Sequence, residues 1–315
     1  MFENANIDHC LYSELMNEIK AVNKDYKDVR KSREYGIGRL IITTGRCLKS
    51  FRFKELSKNY RRWINGTTSA KKFPNTAKNN DSIDKIEPNY FATQRIAVYT
   101  VVFGKYDSIP EPYCRPDNVD YYIVTDQDVD LSSSVWKQIS LKGIESKLSG
   151  LDNIQKNRYL KMHPQVLFPK YEYSIYVDGN IQIVSDVTEF IHRIGSFGVA
   201  MHLHSSRSCV YEEAKAVLYA KKESKQAIDE HIEHLKQEGY PEHYGMLECN
   251  IIARRHTKTM EHLMDEWWNE FCNYSKRDQL SFPYVLYKNK INVEEVGTLG
   301  NNVHMNLSFR VLTHK

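Results

Sequence analysis

What this 315-residue chain lacks already narrows its function. No run approaches the roughly 18 apolar residues that a membrane-spanning helix requires; the longest apolar stretches, such as Ile96 to Phe103, are of strand length. The expectation is that the chain is not an integral membrane protein. The first residues, Met-Phe-Glu-Asn-Ala-Asn, carry no basic region followed by an apolar one, so the expectation is a cytoplasmic protein without a cleaved secretory signal. Six cysteines (Cys10, Cys47, Cys114, Cys209, Cys249, Cys272) are scattered without a C-x-x-C pair. That spacing argues against a zinc ribbon, a redox pair or haem attachment and leaves buried free thiols as the expectation. A Walker loop, G-x-G-x-x-G, G-x-S-x-G and H-E-x-x-H are all missing, which removes the commonest nucleotide-binding, hydrolase and zincin signatures.

What is present begins with an uneven charge. Between Arg39 and Lys72 ten basic residues face Glu55 alone, an excess of nine in a chain whose net charge is only +4. Leu40, Ile41, Ile42, Leu48, Phe51, Phe53, Leu56 and Trp63 lie among them, so the segment reads either as an anchor on an anionic membrane surface or as a solvated basic arm. Nucleic-acid binding is not expected, because the basic excess ends near Lys72 and no reader motif accompanies it. Leu11, Leu15, Ile19 and Val22 recur at helical spacing ahead of it. The domain reading is therefore a helical basic arm over 1–64, a polar linker over 65–92, and a folded domain over 93–315.

In the last part, short apolar runs alternate with amphipathic stretches. Strands are expected at Ile96 to Phe103, Tyr121 to Thr125, Ser174 to Val177, Phe197 to His202 and Asn250 to Ala253, with helices at Asp152 to Met162, Tyr211 to Tyr219, Lys225 to Gln237 and Lys258 to Tyr274. Such alternation predicts an α/β fold with a mostly parallel central sheet, whose ligands bind at the carboxyl ends of the strands.

Three places carry chemistry. The strand 173–177 ends in Asp178-Gly179-Asn180, where a carboxylate and an amide oxygen could meet Mg²⁺ or Mn²⁺ carrying a diphosphate. The same tripeptide also suits an ordinary hairpin turn. Arg158 and Lys161, three apart on one helix face, could contact a diphosphate or form a solvated basic face. Asp278 follows an aromatic helix, and a helix start capped by Ser275 would account for it without catalysis.

These residues, in order, resemble a known family. Arg158-x-x-Lys161 precedes Leu167-Phe168-Pro169, Tyr173 through Gly179, Val210-Tyr211-Glu212-Glu213-Ala214, Glu238-Gly239, Glu248 with Ile251-Ile252, Arg255-His256, Trp268 with Glu270, and Arg277 through Phe282. From about Arg95 onward the chain is similar to the glycosyltransferase-like family of bacterial surface-polysaccharide loci and plant Golgi proteins linked to pectin and mucilage. The resemblance implies a GT-A-like nucleotide-binding domain. It further implies transfer of a sugar from a nucleotide-diphosphate donor, UDP-linked, to a surface-polysaccharide (capsule or O-antigen) or lipid-linked glycan acceptor, at the cytoplasmic face of a membrane. In residue terms it places Asp178, Asn180 and His314 at the positions of a metal set for Mn²⁺ or Mg²⁺, with Asn180 where a second aspartate would stand. Asp278 and Gln279 fall at a catalytic pair facing donor sugar and acceptor, and Arg158, Lys161 and Asn250 at donor contacts. The alternative expectation is a catalytically silent carbohydrate- or nucleotide-binding module of a polysaccharide assembly complex. A phosphoryl or nucleotidyl transferase using the same metal site is a third.

Overall fold

The computed structural model describes residues 94–104 and 109–313. The expected basic arm, the linker and His314 lie outside the described residues.

Nine strands are described: β1 (Ile96–Val102), β2 (Val119–Thr125), β3 (Lys137–Gln138), β4 (Tyr173–Val177), β5 (Ile181–Ile183), β6 (Val199–Leu203), β7 (Leu247–Arg255), β8 (Gly297–Gly300) and β9 (Phe309–Val311). The helices are α1 (Glu145–Leu148), α2 (Asn153–Met162), α3 (Pro164–Leu167), α4 (Val210–Tyr219), α5 (Lys225–Gln237), α6 (Lys258–Asn273) and α7 (Asp278–Lys288). Seven strands form the main sheet in the order β3-β2-β1-β4-β7-β6-β8, and β5 with β9 makes a second, two-stranded sheet. Every pairing in the main sheet is parallel except those of β7, which runs antiparallel to both β4 and β6. The mixed α/β arrangement with a mostly parallel central sheet expected from the sequence is thus the one observed.

The strand compositions follow from this placement. β1 and β4 are buried along their whole length, as strands covered on both faces must be. Their inner residues divide between two cores. On one face Tyr99, Tyr176 and Ile252 pack with Leu160 and Met162 of α2, Met264, Trp267 and Phe271 of α6, and Phe282 of α7. On the other, Val98, Ile175 and Ile251 meet Phe190, Ile191 and Phe309. A third cluster joins α4 and α5 to Leu280 and Tyr284 of α7. Local signals set the helix starts. Asp152 Oδ1 accepts the Gln155 amide at 2.8 Å and Gln155 Oε1 accepts the Asp152 amide at 3.0 Å, a reciprocal cap worth about 1 kcal/mol. Thr257 caps α6 in one direction only, its hydroxyl accepting the Met260 amide at 3.2 Å.

Strand order reverses direction between β1 and β4, and open α/β sheets bind ligands in the crevice at such a switch. Gly104 marks the β1 side of it, with φ of +70° and its amide donating to Asp126 Oδ1 at 3.0 Å. A side chain there would be strained and would come within 2.8 Å of Asn153 Nδ2. Across the crevice, α2 is tied to the end of β1 by Asn157 Nδ2, which donates to the Val101 carbonyl at 2.6 Å.

Two local expectations are corrected. The segment 178–181 is a turn, with the Ile181 amide donating to the Asp178 carbonyl at 2.9 Å, but not a hairpin: β4 pairs with β1 and β7, while β5 leaves to pair with β9. Ser275 does not cap α7, because its hydroxyl is buried and bonded to His231 Nδ1 at 2.8 Å, and Arg277 holds the cap position. Of the thiols, Cys209 and Cys249 are buried as expected, whereas Cys272 is exposed on α6 and Cys114 half-buried.

Candidate active site

At the switch, four charged side chains from three separate elements converge. Asp278, the first residue of α7, lies 117 positions from Lys161 of α2, yet Lys161 Nζ donates to Asp278 Oδ2 at 2.7 Å. Arg158 Nε approaches the same oxygen at 3.0 Å, while its Nη1 bonds Asn157 Oδ1. Lys161 Nζ also stands 3.6 Å from Asp178 Oδ1, just past the end of β4, and 4.9 Å from the centre of the Tyr176 ring. Lys161 therefore links the two aspartates.

Burial separates their roles. Side-chain exposure is 2% for Lys161, 9% for Asp278 and 21% for Arg158, against 34% for Asp178. Burial alone would raise the Asp278 pKa, but Arg158 and Lys161 outweigh it and hold the carboxyl well below the usual carboxylate range. Its other oxygen accepts the Gln279 amide at 3.2 Å, at a helix N-terminus that favours negative charge. So fully engaged a carboxylate is a poor proton acceptor. Arg158 is held cationic: burial works against it, and Asp278, Tyr176 and Asp178 more than compensate. Cys249 lies close by, but burial first and the neighbouring Asp278 second push its thiol up, so it carries no thiolate for attack.

Arg158 and Lys161 thus face Asp278 rather than forming a solvated surface. Asp178 is oriented by the Tyr176 hydroxyl, which donates to Oδ1 at 2.7 Å; its own amide donates to the Asn250 carbonyl at 2.9 Å. Sequence reading missed Tyr176, although residues two apart on a strand share a face and Tyr176 precedes Asp178 by two. Asn180 Nδ2 donates to the Leu312 carbonyl at 3.0 Å and its carbonyl accepts the Leu312 amide at 2.8 Å, joining the turn after β4 to the segment after β9. Asn250 Oδ1 is buried with no hydrogen-bond partner. Gln279 is half-buried in the first turn of α7.

Among the described residues no group of three or more His, Cys, Asp or Glu side chains is arranged to hold a metal ion. Asp178 bonds through Oδ1, and among the described residues no hydrogen bond or ion pair engages Oδ2 of its third-exposed side chain. Such a donor suits a hard cation that arrives with phosphate oxygens and water better than a resident one. No helix among the described residues is long and apolar enough to cross a membrane.

A mostly parallel sheet with a charged, partly exposed carboxylate at its switch defines an α/β domain whose candidate ligand site lies at the carboxyl ends of the strands. The chain belongs to the TOD1/MUCI70 glycosyltransferase-like domain family, whose family model matches residues 68–313. It is 24% identical over 238 residues to a protein of Arabidopsis thaliana named probable hexosyltransferase MUCI70, a match that covers 67% of this chain and 40% of that relative's length. It is also similar to the apo structure of the bifunctional glycosyltransferase WbbM, at 12% identity and a TM-score of 0.40, over 66% of this chain and 39% of that one.

Proposed function

We propose that the protein is a nucleotide-sugar-dependent glycosyltransferase that moves a hexose from a UDP-linked donor to a surface-polysaccharide or lipid-linked glycan acceptor. The observation that carries this reading is the Arg158–Lys161–Asp278 cluster, buried at the switch point and joined through Lys161 to the exposed Asp178. Buried ion pairs are costly to assemble, and one placed at a ligand crevice is better explained by preorganised charge than by stability.

In sugar transfer the bond from the anomeric carbon to the donor phosphate breaks, a hydroxyl oxygen of the acceptor forms the new bond, negative charge gathers on the departing diphosphate, and the hydroxyl's proton passes to that diphosphate. Arg158 is the more exposed of the two buried cations and is the one placed to meet that charge. Lys161 fixes the spacing between Asp278 and Asp178. Asp278 keeps both cations charged and aimed, a positioning role in place of the base or sugar contact expected from the sequence. A Mg²⁺ or Mn²⁺ ion brought in with the donor would be held by Asp178 and would neutralise diphosphate charge. Asn250 and Gln279 would contribute amide contacts to the donor sugar.

The basic segment from Arg39 to Lys72 supports a location at the anionic face of a membrane, each cation near such a surface contributing about 1 kcal/mol. The full chain should then sediment with anionic vesicles at low salt and be released as salt is raised.

The mass of the product tests the reaction. The full chain is incubated with UDP-glucose or UDP-galactose and an oligosaccharide acceptor. Gain of one hexose on the acceptor supports transfer; gain of a nucleotidyl or phosphoryl group would replace this reading with the corresponding transferase. Binding of the UDP-sugar without any product would make the protein the silent module that Asn180 in place of an aspartate favours.

A further inference from the structure

β7 enters the sheet at the end where β4 leaves it, and its entry is irregular. On β6, Met201 pairs with Ile252, yet the very next residue, His202, pairs with Glu248. Cys249, Asn250 and Ile251 are therefore extra on the β7 side, a bulge of the kind that re-aims side chains beside binding sites. Cys249 turns into the core under Asp278, Asn250 gives its carbonyl to the Asp178 amide, and Glu248 is left half-buried at the rim.

Glu248, near the start of β7, and Asp178, just past β4, thus lie at the same end of the sheet, and these two carboxylates and Asp278 are differently committed. Asp278 is engaged on both oxygens and Asp178 on one. Glu248 accepts the Val303 amide on Oε2 at 3.0 Å and also faces the Asn250 side-chain amide and the Ser205 amide; among the described residues no lysine or arginine pairs with it. Its pKa is raised, first by burial, against the Val303 amide, His304 and Asn250, which lower it. Beside it the Asn250 Oδ1 is buried without a donor. A carboxylate with no resident cation and an amide oxygen lacking a donor form a pair of acceptors. Acceptors of this kind call for neutral hydroxyl donors, since a cationic partner is not built in and an anionic one would be repelled.

We propose that Glu248, with Asn250 beside it, is a sugar-hydroxyl subsite of the candidate active site, its carboxylate accepting a hydrogen bond from a hexose hydroxyl. This rests on the nucleotide-sugar reading above. Whether that hydroxyl belongs to the donor hexose or is the one that attacks is settled by two arms of one experiment.

The full chain and Glu248→Gln are compared for affinity toward UDP, UDP-glucose and UDP-galactose, and for the rate at which UDP is released from each sugar nucleotide in the presence of an oligosaccharide acceptor. Gln keeps an acceptor for the Val303 amide, so equal melting temperatures are expected; Glu248→Asp, which keeps charge but shortens reach, is read in the same way should the Gln variant fold poorly. A charge-assisted hydrogen bond corresponds to about tenfold or more in binding or rate. If E248Q holds UDP as the wild type does but loses about tenfold for a UDP-hexose, the hydroxyl is the donor sugar's. If both affinities persist and UDP release falls about tenfold, the hydroxyl is the attacking one. Wild-type affinities and wild-type release rates in the variant would overturn the subsite alone. A wild-type chain that binds no UDP-hexose would overturn the transferase reading, and the subsite with it.

Discussion

Asp120 and Asp278 each stand between an arginine and a lysine, yet they occupy opposite ends of the sheet and opposite surroundings. Asp120, near the amino end of β2, accepts from Arg95 Nε at 2.9 Å, from Lys137 Nζ at 3.2 Å and from the Tyr171 hydroxyl at 2.8 Å. Its cations are 59% and 64% exposed, so water screens them and the group acts as a clasp across β1, β2 and β3. At the carboxyl end the same three charges are taken out of water, with Lys161 only 2% exposed. Desolvating them is unfavourable unless every partner stays in place. The contrast teaches that the composition of an ion cluster says little, whereas its burial at a strand's carboxyl end marks the site.

The sharpest way to break this comparison is to remove one lysine from each cluster. Lys161→Ala leaves Asp278 buried with Arg158 alone and should lower the unfolding free energy by about 3–5 kcal/mol, measured by urea titration. A loss as small as that of an exposed pair would mean that water reaches Asp278.

Acid weakens the buried cluster in a definite direction. Burial favours the protonated form of Asp278, but its cations prevail and its folded pKa lies below the unfolded value. The stabilisation is thus complete above the unfolded carboxylate pKa of about 3.9 and is lost as pH falls below it toward the folded value. Wild type should exceed Asp278→Asn in stability at pH 6, and the difference should shrink as pH falls below about 4, as followed by urea unfolding at successive pH values.

Asp178→Asn sharpens the distinction between fold and function. With a third of its side chain exposed, Asp178 contributes little to the core, so the melting temperature should hold while sugar transfer falls about tenfold or more. Turnover at the wild-type rate would return Asp178 to the role of a turn residue. The smallest effect belongs to Lys137→Ala, expected within about 1 kcal/mol of wild type in the same urea assay.

Much of the sheet was legible because buried parallel strands must be apolar along their length, as Ile96–Val102 is. β7 was read only at its apolar centre, Asn250 to Ala253; Glu248 and Asn250 interrupt the pattern at its entry, and those polar residues are where it borders the site. β3 has two exposed residues and β8 begins and ends in glycine, so neither carries a periodic signal. Arg158 and Lys161 were found by helical spacing, but their partner was not, since no local pattern joins positions 117 apart. Asp278 was correctly placed at a helix start, while its ion pairs belong to tertiary packing alone. The antiparallel course of β7 is likewise a property of its neighbours and not of its own residues.

The most direct test is the thermal stability of the full chain with UDP, UDP-glucose, UDP-galactose and uridine, each with and without Mn²⁺. A ligand that binds only the folded protein stabilises it by about 2.7 kcal/mol at a hundred times its dissociation constant. The transferase account predicts a raised melting temperature with UDP and the UDP-hexoses, a lesser rise with uridine, and a smaller UDP response in Asp178→Asn. No shift with any diphosphate, or an equal shift in Asp178→Asn, would contradict it.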